Sequence, residues 1–543
     1  MLGEWGMTRR RLASDLAMPE PSMTEACMKP RVPGVSRRVF LAGAAGAGLA
    51  GAPYVLRRAE AAAGKILRIA SGEADGTKGT LDPAFSQQDD DATRVALVYE
   101  RLVILDETFA PRPQLADSWS TNATGDEWTF KLRRGVRFHD GEPFTARHVL
   151  HTYRRLLDPA TGSPGRASLS AVDPKGIEAP DDLTVRFRLP QPVVQFPAYI
   201  ANRFTYVVRE GQPAEEYRTK GIGTGPFKIK HFAPGEEPSV FVRNDDYWRP
   251  GLPKVDGVEL RSIPDGAAQV AAIAAGQIDL TWDLPRVGLA RLEANPEVKV
   301  ISVRTPYVLS MSMWVDTPPF NDLRVRQAMK YVIDREKMVK LVLGGHGQIA
   351  DDNPVAPWVQ YGLTEPARKR DIAKARALLA EAGHGNGLDV ELQTSDAVIG
   401  FIELATLYQA MAAEAGINVK LVKSPAGEYW DNIWLKKPFV CSAWSGRAAD
   451  EALSVPYLSD AEWNETHWRR PDYDKLIAEA RRTVEDGKRG ELYRQAERML
   501  REEGGILIPA FPDAIGATRA NVAGWSLHPQ KFSKDFSQVE FTS

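Results

Sequence analysis

The chain has 543 residues, too many for one ordinary core, and its 43% hydrophobic and 26% charged residues are those of a globular protein with two or three cores to bury. Its 69 Lys and Arg nearly balance 71 Asp and Glu, and the first 61 residues hold 9 basic and 5 acidic of these, which leaves 60 against 66, net −6, in the remainder. A remainder of that sign argues against nucleic acid as a partner.

Near the N-terminus, Ser36-Arg37-Arg38-Val39-Phe40-Leu41-Ala42 sets an arginine pair before a weakly apolar Ala/Gly/Leu run, and Ala59-Glu60-Ala61-Ala62-Ala63 follows. Basic segment, short apolar segment and A-x-A exit, in that order, make an export signal, too short and too glycine-rich to span a bilayer. It resembles a twin-arginine signal, with cleavage expected near Ala61 or Ala63. Residues 1–61 are therefore set aside from the fold. Cys27 falls in the removed segment, so Cys441 is left without an internal partner and no intramolecular disulfide is expected. No Cys follows the apolar run, so nothing suggests a lipid anchor, and the mature protein is expected free in the periplasm.

Beyond the signal, residues 65–70 alternate as a half-buried strand, and 90–102 read as a helix with Val95, Val98 and Leu102 on one face. Residues 128–132 and 135–138 pattern as strands, with His139-Asp140-Gly141 as a turn rather than a catalytic group. Thr145 caps a helix whose apolar face is Val149, Tyr153, Leu156 and Leu157. Asp322 caps another, with Val325, Met329, Val332 and Ile333 buried and Arg324, Arg326 and Lys330 expected in solvent. Residues 388–393, 401–414 and 417–422 form a β-α-β unit, which implies parallel strands and an α/β fold class. Residues 424–434 and 471–501 are helical in pattern, while 439–443 and 506–509 are buried strands.

Two tempting motifs carry no chemistry. Gly221-x-Gly223-x-Gly225 leads into Pro226 and a strand, so no helix N-terminus follows to hold a phosphate. His148 and His151 share a helix face but lack a third metal ligand. No G-x-S-x-G, H-E-x-x-H or C-x-x-C occurs in the mature chain. Neither a catalytic residue, a metal nor a cofactor is expected.

The run from Trp128-Thr-Phe-Lys-Leu-Arg-Arg-Gly-Val-Arg-Phe-His-Asp-Gly to Leu150 resembles the signature of extracellular solute-binding proteins of the peptide/nickel/opine importer family. Further matches follow in the family's order: Gly223-Thr224-Gly225-Pro226-Phe227, Asn244-Asp245-Asp246-Tyr247-Trp248, Ala275-Gly276-Gln277-Ile278-Asp279, and Phe320 through Arg335. The resemblance implies a two-lobe periplasmic binding fold. Lobe 1 would be 62–303 with a subdomain inserted at about 95–215, lobe 2 would be 304–504, and 505–543 would return to lobe 1. Crossings near Arg304 and near Gly504-Gly505 would permit hinge closure. It implies too that the protein is a monomer that captures a small-molecule ligand and delivers it to the membrane permease of an ABC importer. Two alternatives stay open: a carrier of a metal or metal chelate, as nickel-binding relatives are, and a secreted hydrolase on a borrowed scaffold.

The candidate site is the stretch from Ala443 to Asp450. Trp444 offers a flat apolar wall, Ser445 and Gly446 let backbone approach closely, and Arg447 presents a planar fork of donors suited to a carboxylate. The resemblance sharpens this, because peptide-binding relatives end the same stretch in Asp, which pairs with a peptide's free amino group. Arg447 reverses that charge, so the solute should be anionic or zwitterionic, peptide-like or opine-like. Asp450 is either an amine anchor or the partner of Arg447. Trp314 stands where the family usually has Asn and would flatten the pocket. Trp430 and Trp434, four residues apart on a helix, read first as packing and second as ligand walls.

Overall fold

The computed structural model describes residues 64–72, 78–169, 171–531 and 533–542. The expected export signal over 1–61 lies outside the described residues.

Strand Ile66–Ser71 (β1), its inward side chains fully buried, leads to helix Asp89–Val98 (α1). A small antiparallel sheet follows, built from Ala116–Thr121 (β2), Glu127–Leu132 (β3), Ile177–Asp181 (β4) and Thr184–Arg188 (β5) in the order β2-β3-β5-β4. Helix Ala146–Leu157 (α2) and the short Phe196–Tyr199 (α3) cover it, and Phe130, Phe187 and Phe196 meet at its centre with ring separations of 5.1 to 6.2 Å. The chain then lays down Phe227–His231 (β6), Ser239–Arg243 (β7), Gly257–Ser262 (β8), Leu280–Trp282 (β9) and Val298–Arg304 (β10). After these come Val308–Met313 (β11), helix Leu323–Tyr331 (α4), Gly347–Ile349 (β12), Leu388–Ser395 (β13), helix Phe401–Ala413 (α5) and Ile417–Ser424 (β14). Helix Ala426–Asn432 (α6), strand Phe439–Trp444 (β15), helices Ala449–Ser454 (α7), Pro471–Arg482 (α8) and Asp486–Glu503 (α9), and the long strand Ile506–Arg519 (β16) complete the main layers.

The large sheet runs β14-β13-β15-β11-β16-β9-β1-β8-β7-β6, with β10 and β12 also pairing along β16. As the alternation predicts, β13 and β14 are parallel, Leu388 opposite Ile417, and α5 makes the crossover between them. Strand β16 belongs to both halves of the sheet. Its residues Ile506 to Ala510 pair with β11, while Asp513 to Arg519 pair with β10. The chain therefore passes between the halves at Thr305–Tyr307 and again at Phe511–Pro512. The second passage falls inside β16, after the glycine pair Gly504-Gly505 where the sequence suggested it. Pro509 lies just before that passage, where a register shift interrupts the ladder with β11 and a missing N–H costs least.

The recognisable sequence blocks turn out to be structural joints. Gly223 and Gly225 press against the last turn of α1, where a Cβ on Gly223 would lie 2.0 Å from the Val98 carbonyl oxygen. Only glycine fits so close to backbone. The Gly225 carbonyl accepts from Asn244 Nδ2 at 3.1 Å and lies 3.0 Å from His139 Nε2. Burial lowers the His139 pKa to about 4, so the ring is neutral and serves as a brace. Tyr247 and Trp248 donate to the buried Glu100 at 2.8 and 2.7 Å.

One expectation is corrected at α4. Asp322 caps it, accepting from the Arg324 N–H at 2.8 Å, and Arg324 is exposed, but Arg326 and Lys330 are buried. Lys330 Nζ donates to the Arg501 carbonyl at 2.6 Å, and Arg326 donates to the Glu503 carbonyl at 2.7 Å. These carbonyls end α9, where no intrahelical donor remains and the helix dipole is negative, so two cations are held there by need and by field.

Candidate functional site

A cleft of about 1000 Å³ opens between the two halves of the sheet, and both chain passages line it, Thr305 and Tyr307 from the first and Pro512 through Ile515 from the second. Further walls come from the turn after β9, the loop after β15, the C-terminal segment at Leu527–Lys531, and residues near the small sheet such as Arg101 and Phe204. Charged lining residues number six basic (Arg101, Arg203, Arg286, Arg447, Arg481, Lys531) and four acidic (Asp283, Glu451, Glu462, Asp513), which gives the cleft a positive excess. Phe204, Trp463, Val398 and Ile399 supply apolar surface.

Ser445, Gly446 and Arg447 line this cleft. The loop reaches it because β15 delivers Trp444 opposite Val308, at the end of the strand pair nearest the first passage. Gly446 allows the approach, since a Cβ there would stand 2.7 Å from Pro306 and 3.0 Å from the Phe109 ring. The close approach is thus to protein, not to an open space. The Arg447 guanidinium lies over the Trp444 ring, 4.9 Å from its centroid, and has no hydrogen-bond or ion-pair partner among the described residues. Burial lowers its pKa, with the Glu451 charge acting in the opposite sense, and burial raises that of Glu451. A desolvated fork of donors facing a cavity is arranged to meet an anion.

Other expected residues are placed differently. Trp444 is buried beneath Arg447, and its indole N–H donates to Glu465 at 2.9 Å, as does that of Trp434. Ser442 donates to the same carboxylate. Burial raises the Glu465 pKa against these three bonds. Asp450 neither pairs with Arg447 nor faces the cleft: it receives Arg481 Nε at 2.9 Å, the Tyr493 hydroxyl at 3.0 Å and the Tyr199 hydroxyl. Because Tyr199 belongs to α3 and Asp450 to α7, this cluster joins the small sheet's layer to the far half of the large one. Trp314 is away from the cleft, stacked on His467 at 4.1 Å and 17°. The antiparallel register explains it, for Met313 pairs with Phe439 at the opposite end of the strands from Trp444, on the order of 20 Å distant. Trp430, on α6, packs edge-on to Trp434 at 5.6 Å and is half exposed, outside the cleft lining.

Sequence reasoning missed Trp463, Arg286 and the Asp283–Lys531 pair. Trp463 stands 6.1 Å from Trp444 and exposes 43% of its surface, so it continues the aromatic surface into the cleft. Asp283 has φ of 57° and meets Lys531 Nζ at 3.1 Å, and burial raises its pKa against that charge. Arg286 donates Nε to the Leu343 carbonyl at 3.0 Å. No local pattern marks any of them; each is a single residue in a loop. Among the described residues, no group of three His, Cys, Asp or Glu is placed to hold a metal ion.

Two half-sheets joined by two passages, with a positive, partly aromatic cleft between them, define a two-lobed α/β solute-binding protein. The chain belongs to the bacterial extracellular solute-binding proteins, family 5, whose middle region it matches over residues 110–465. Di/tripeptide-binding protein 1 of Pseudomonas aeruginosa (strain UCBPP-PA14) is 29% identical over 457 residues, 77% of this chain and 83% of its own. Glutathione-binding protein GsiB of Escherichia coli (strain K12) is 27% identical over 468 residues, 83% and 90% of the two chains. Among solved structures, the ABC transporter-associated periplasmic binding protein DppA of Helicobacter pylori, in complex with the peptide STSA, matches with a TM-score of 0.70 at 25% identity, covering 88% of this chain and 98% of that one.

Proposed function

We propose that this protein is exported by the twin-arginine route, captures a small anionic or zwitterionic solute between its lobes in the periplasm, and delivers it to the permease of an ABC importer. Its relatives support the class: one is a di/tripeptide-binding protein, one a glutathione-binding protein, and one is associated with an ABC transporter. The observation that carries the reading is the Arg447 guanidinium, half-buried over Trp444, lining the cleft and without a hydrogen-bond or ion-pair partner among the described residues. Such a group is costly to leave empty and gains most from a carboxylate that it can grip with two parallel bonds. Peptide-like and opine-like solutes present one. Capture by binding needs no covalent step, and the cleft's mixture of apolar wall and a few convergent polar groups suits it.

A thermal-shift screen of peptides, opines and carboxylated metabolites identifies binders, because a ligand of the folded state alone raises Tm. For any hit, Arg447→Ala should weaken affinity by about 2 to 5 kcal/mol in calorimetry. Unchanged affinity with the fold intact would remove Arg447 from the site and this reading with it.

A further inference from the structure

Arg447 is not alone in the cleft. Arg286 stands on the turn after β9, in the other half of the sheet, and both line the same cavity. The turn is fixed from two sides, by the Leu284 N–H donating to the Ile515 carbonyl at 3.0 Å and by Arg286 Nε donating to the Leu343 carbonyl. With Nε engaged, the two terminal nitrogens have no hydrogen-bond or ion-pair partner among the described residues. Asp513 and Glu403 act on Arg286 only through longer-range charge, against the burial that lowers its pKa. Ser302 donates to Asp513 at 3.0 Å, leaving that carboxylate's other oxygen buried without a partner. By contrast, the nearby basic groups Lys531 and Arg481 hold Asp283 and Asp450.

Two half-buried guanidiniums lining one cavity from opposite halves of a protein repel each other, and each has lost part of its hydration. A solute with one anionic group relieves only one of them. We infer that Arg286 is a second anion-binding residue, and that the solute carries two separated anionic groups, one gripped by each lobe. This rests on the reading of Arg447 as the first anchor. A solute of that kind ties the lobes together through its own backbone, so its two charges select for length as well as sign.

The probes are α,ω-dicarboxylates from succinate to suberate, the dipeptides glutamyl-alanine and alanyl-glutamate, and a monomethyl ester of each, titrated by calorimetry into the wild type, Arg286→Met and Arg447→Met. In the wild type, at least one diacid should bind, and better than its monoester. Arg286→Met should weaken that diacid at least about tenfold and bring it level with the monoester, whereas Arg447→Met should weaken both. The melting temperature of each unliganded variant reports whether it folds. If Arg286→Met leaves the preference for diacids intact, or if no diacid binds, the second anchor is overturned. Loss of binding in Arg447→Met with Arg286→Met silent would overturn it while leaving the first reading standing; indifference to both variants would remove both.

Discussion

At the scale of single residues, the site depends on one position with no side chain. Gly446 lets the loop after β15 lie against Pro306 and Phe109, and Arg447 follows directly. An alanine there would place its Cβ 2.7 Å from a proline ring atom, so the loop or the passage must shift. Gly446→Ala is expected to cost about 1 to 3 kcal/mol of ligand affinity while keeping every charged group, a result that calorimetry on the variant checks directly. Ser445, Gly446 and Arg447 were legible in the sequence because they follow a buried strand and set two small residues beside a single guanidinium. Trp314 misled because strand register decides which end of β11 meets the site, and register depends on pairing that one strand's residues do not declare. Asp450 was legible only as a question. Its partner, Arg481, is 31 residues away on another helix, and its hydroxyl donor Tyr199 comes from a different layer altogether. Arg286 was invisible, since a lone arginine in a loop ordinarily faces water.

At the scale of elements, the regular pieces were the most legible, because β13 and β14 alternate over their first four residues and α5 buries a face spaced by three to four. The misjudged element is α4, whose polar residues looked solvent-facing by the same rule. Arg326 and Lys330 are buried because the C-terminal carbonyls of α9, some 170 residues later in the chain, need donors. Periodicity on one helix cannot register the unpaired end of another. The arrangement has a measurable consequence at Lys330, whose pKa burial lowers to about 7 despite the charge of Asp352. In the unfolded chain a lysine titrates near about 10.4, so between pH of roughly 7 and 10 the unfolded state holds more protons than the folded one. Stability contributed by this group therefore rises with pH across that window, by up to about 1.4 kcal/mol per pH unit, and is flat below it. Urea unfolding from pH 6.5 to 9.5 should show Lys330→Met losing this upward slope relative to the wild type, while remaining less dependent on pH near neutrality.

For the whole molecule, the largest apolar cluster matters more than any hydrogen bond. It runs from Leu102, Phe130 and Phe196 of the small sheet's layer, through Phe109, to Trp444, Tyr457 and Tyr493 beyond the cleft. Around it the Val194 N–H donates to the Arg481 carbonyl at 3.1 Å, and the Gln360 N–H to the Thr108 carbonyl at 3.1 Å. The two halves are thus apposed across a shared core, while only two short passages of extended chain connect them covalently. Extended strands twist readily about their length, whereas the cluster resists being wetted. If ligand entry separates the halves, part of that core meets water on each opening and leaves it on each closing. Capture should then carry a heat-capacity decrease larger than burial of the solute alone accounts for. Calorimetric titrations at 10, 20, 30 and 37 °C would reveal it as a binding enthalpy that grows steadily more favourable with temperature, and a slope no greater than the solute's own apolar area predicts would mean that the core stays dry throughout. Where opening does wet the core, the seam between the lobes acts as a thermometer of closure, tuning how tightly a solute is held as the surroundings warm.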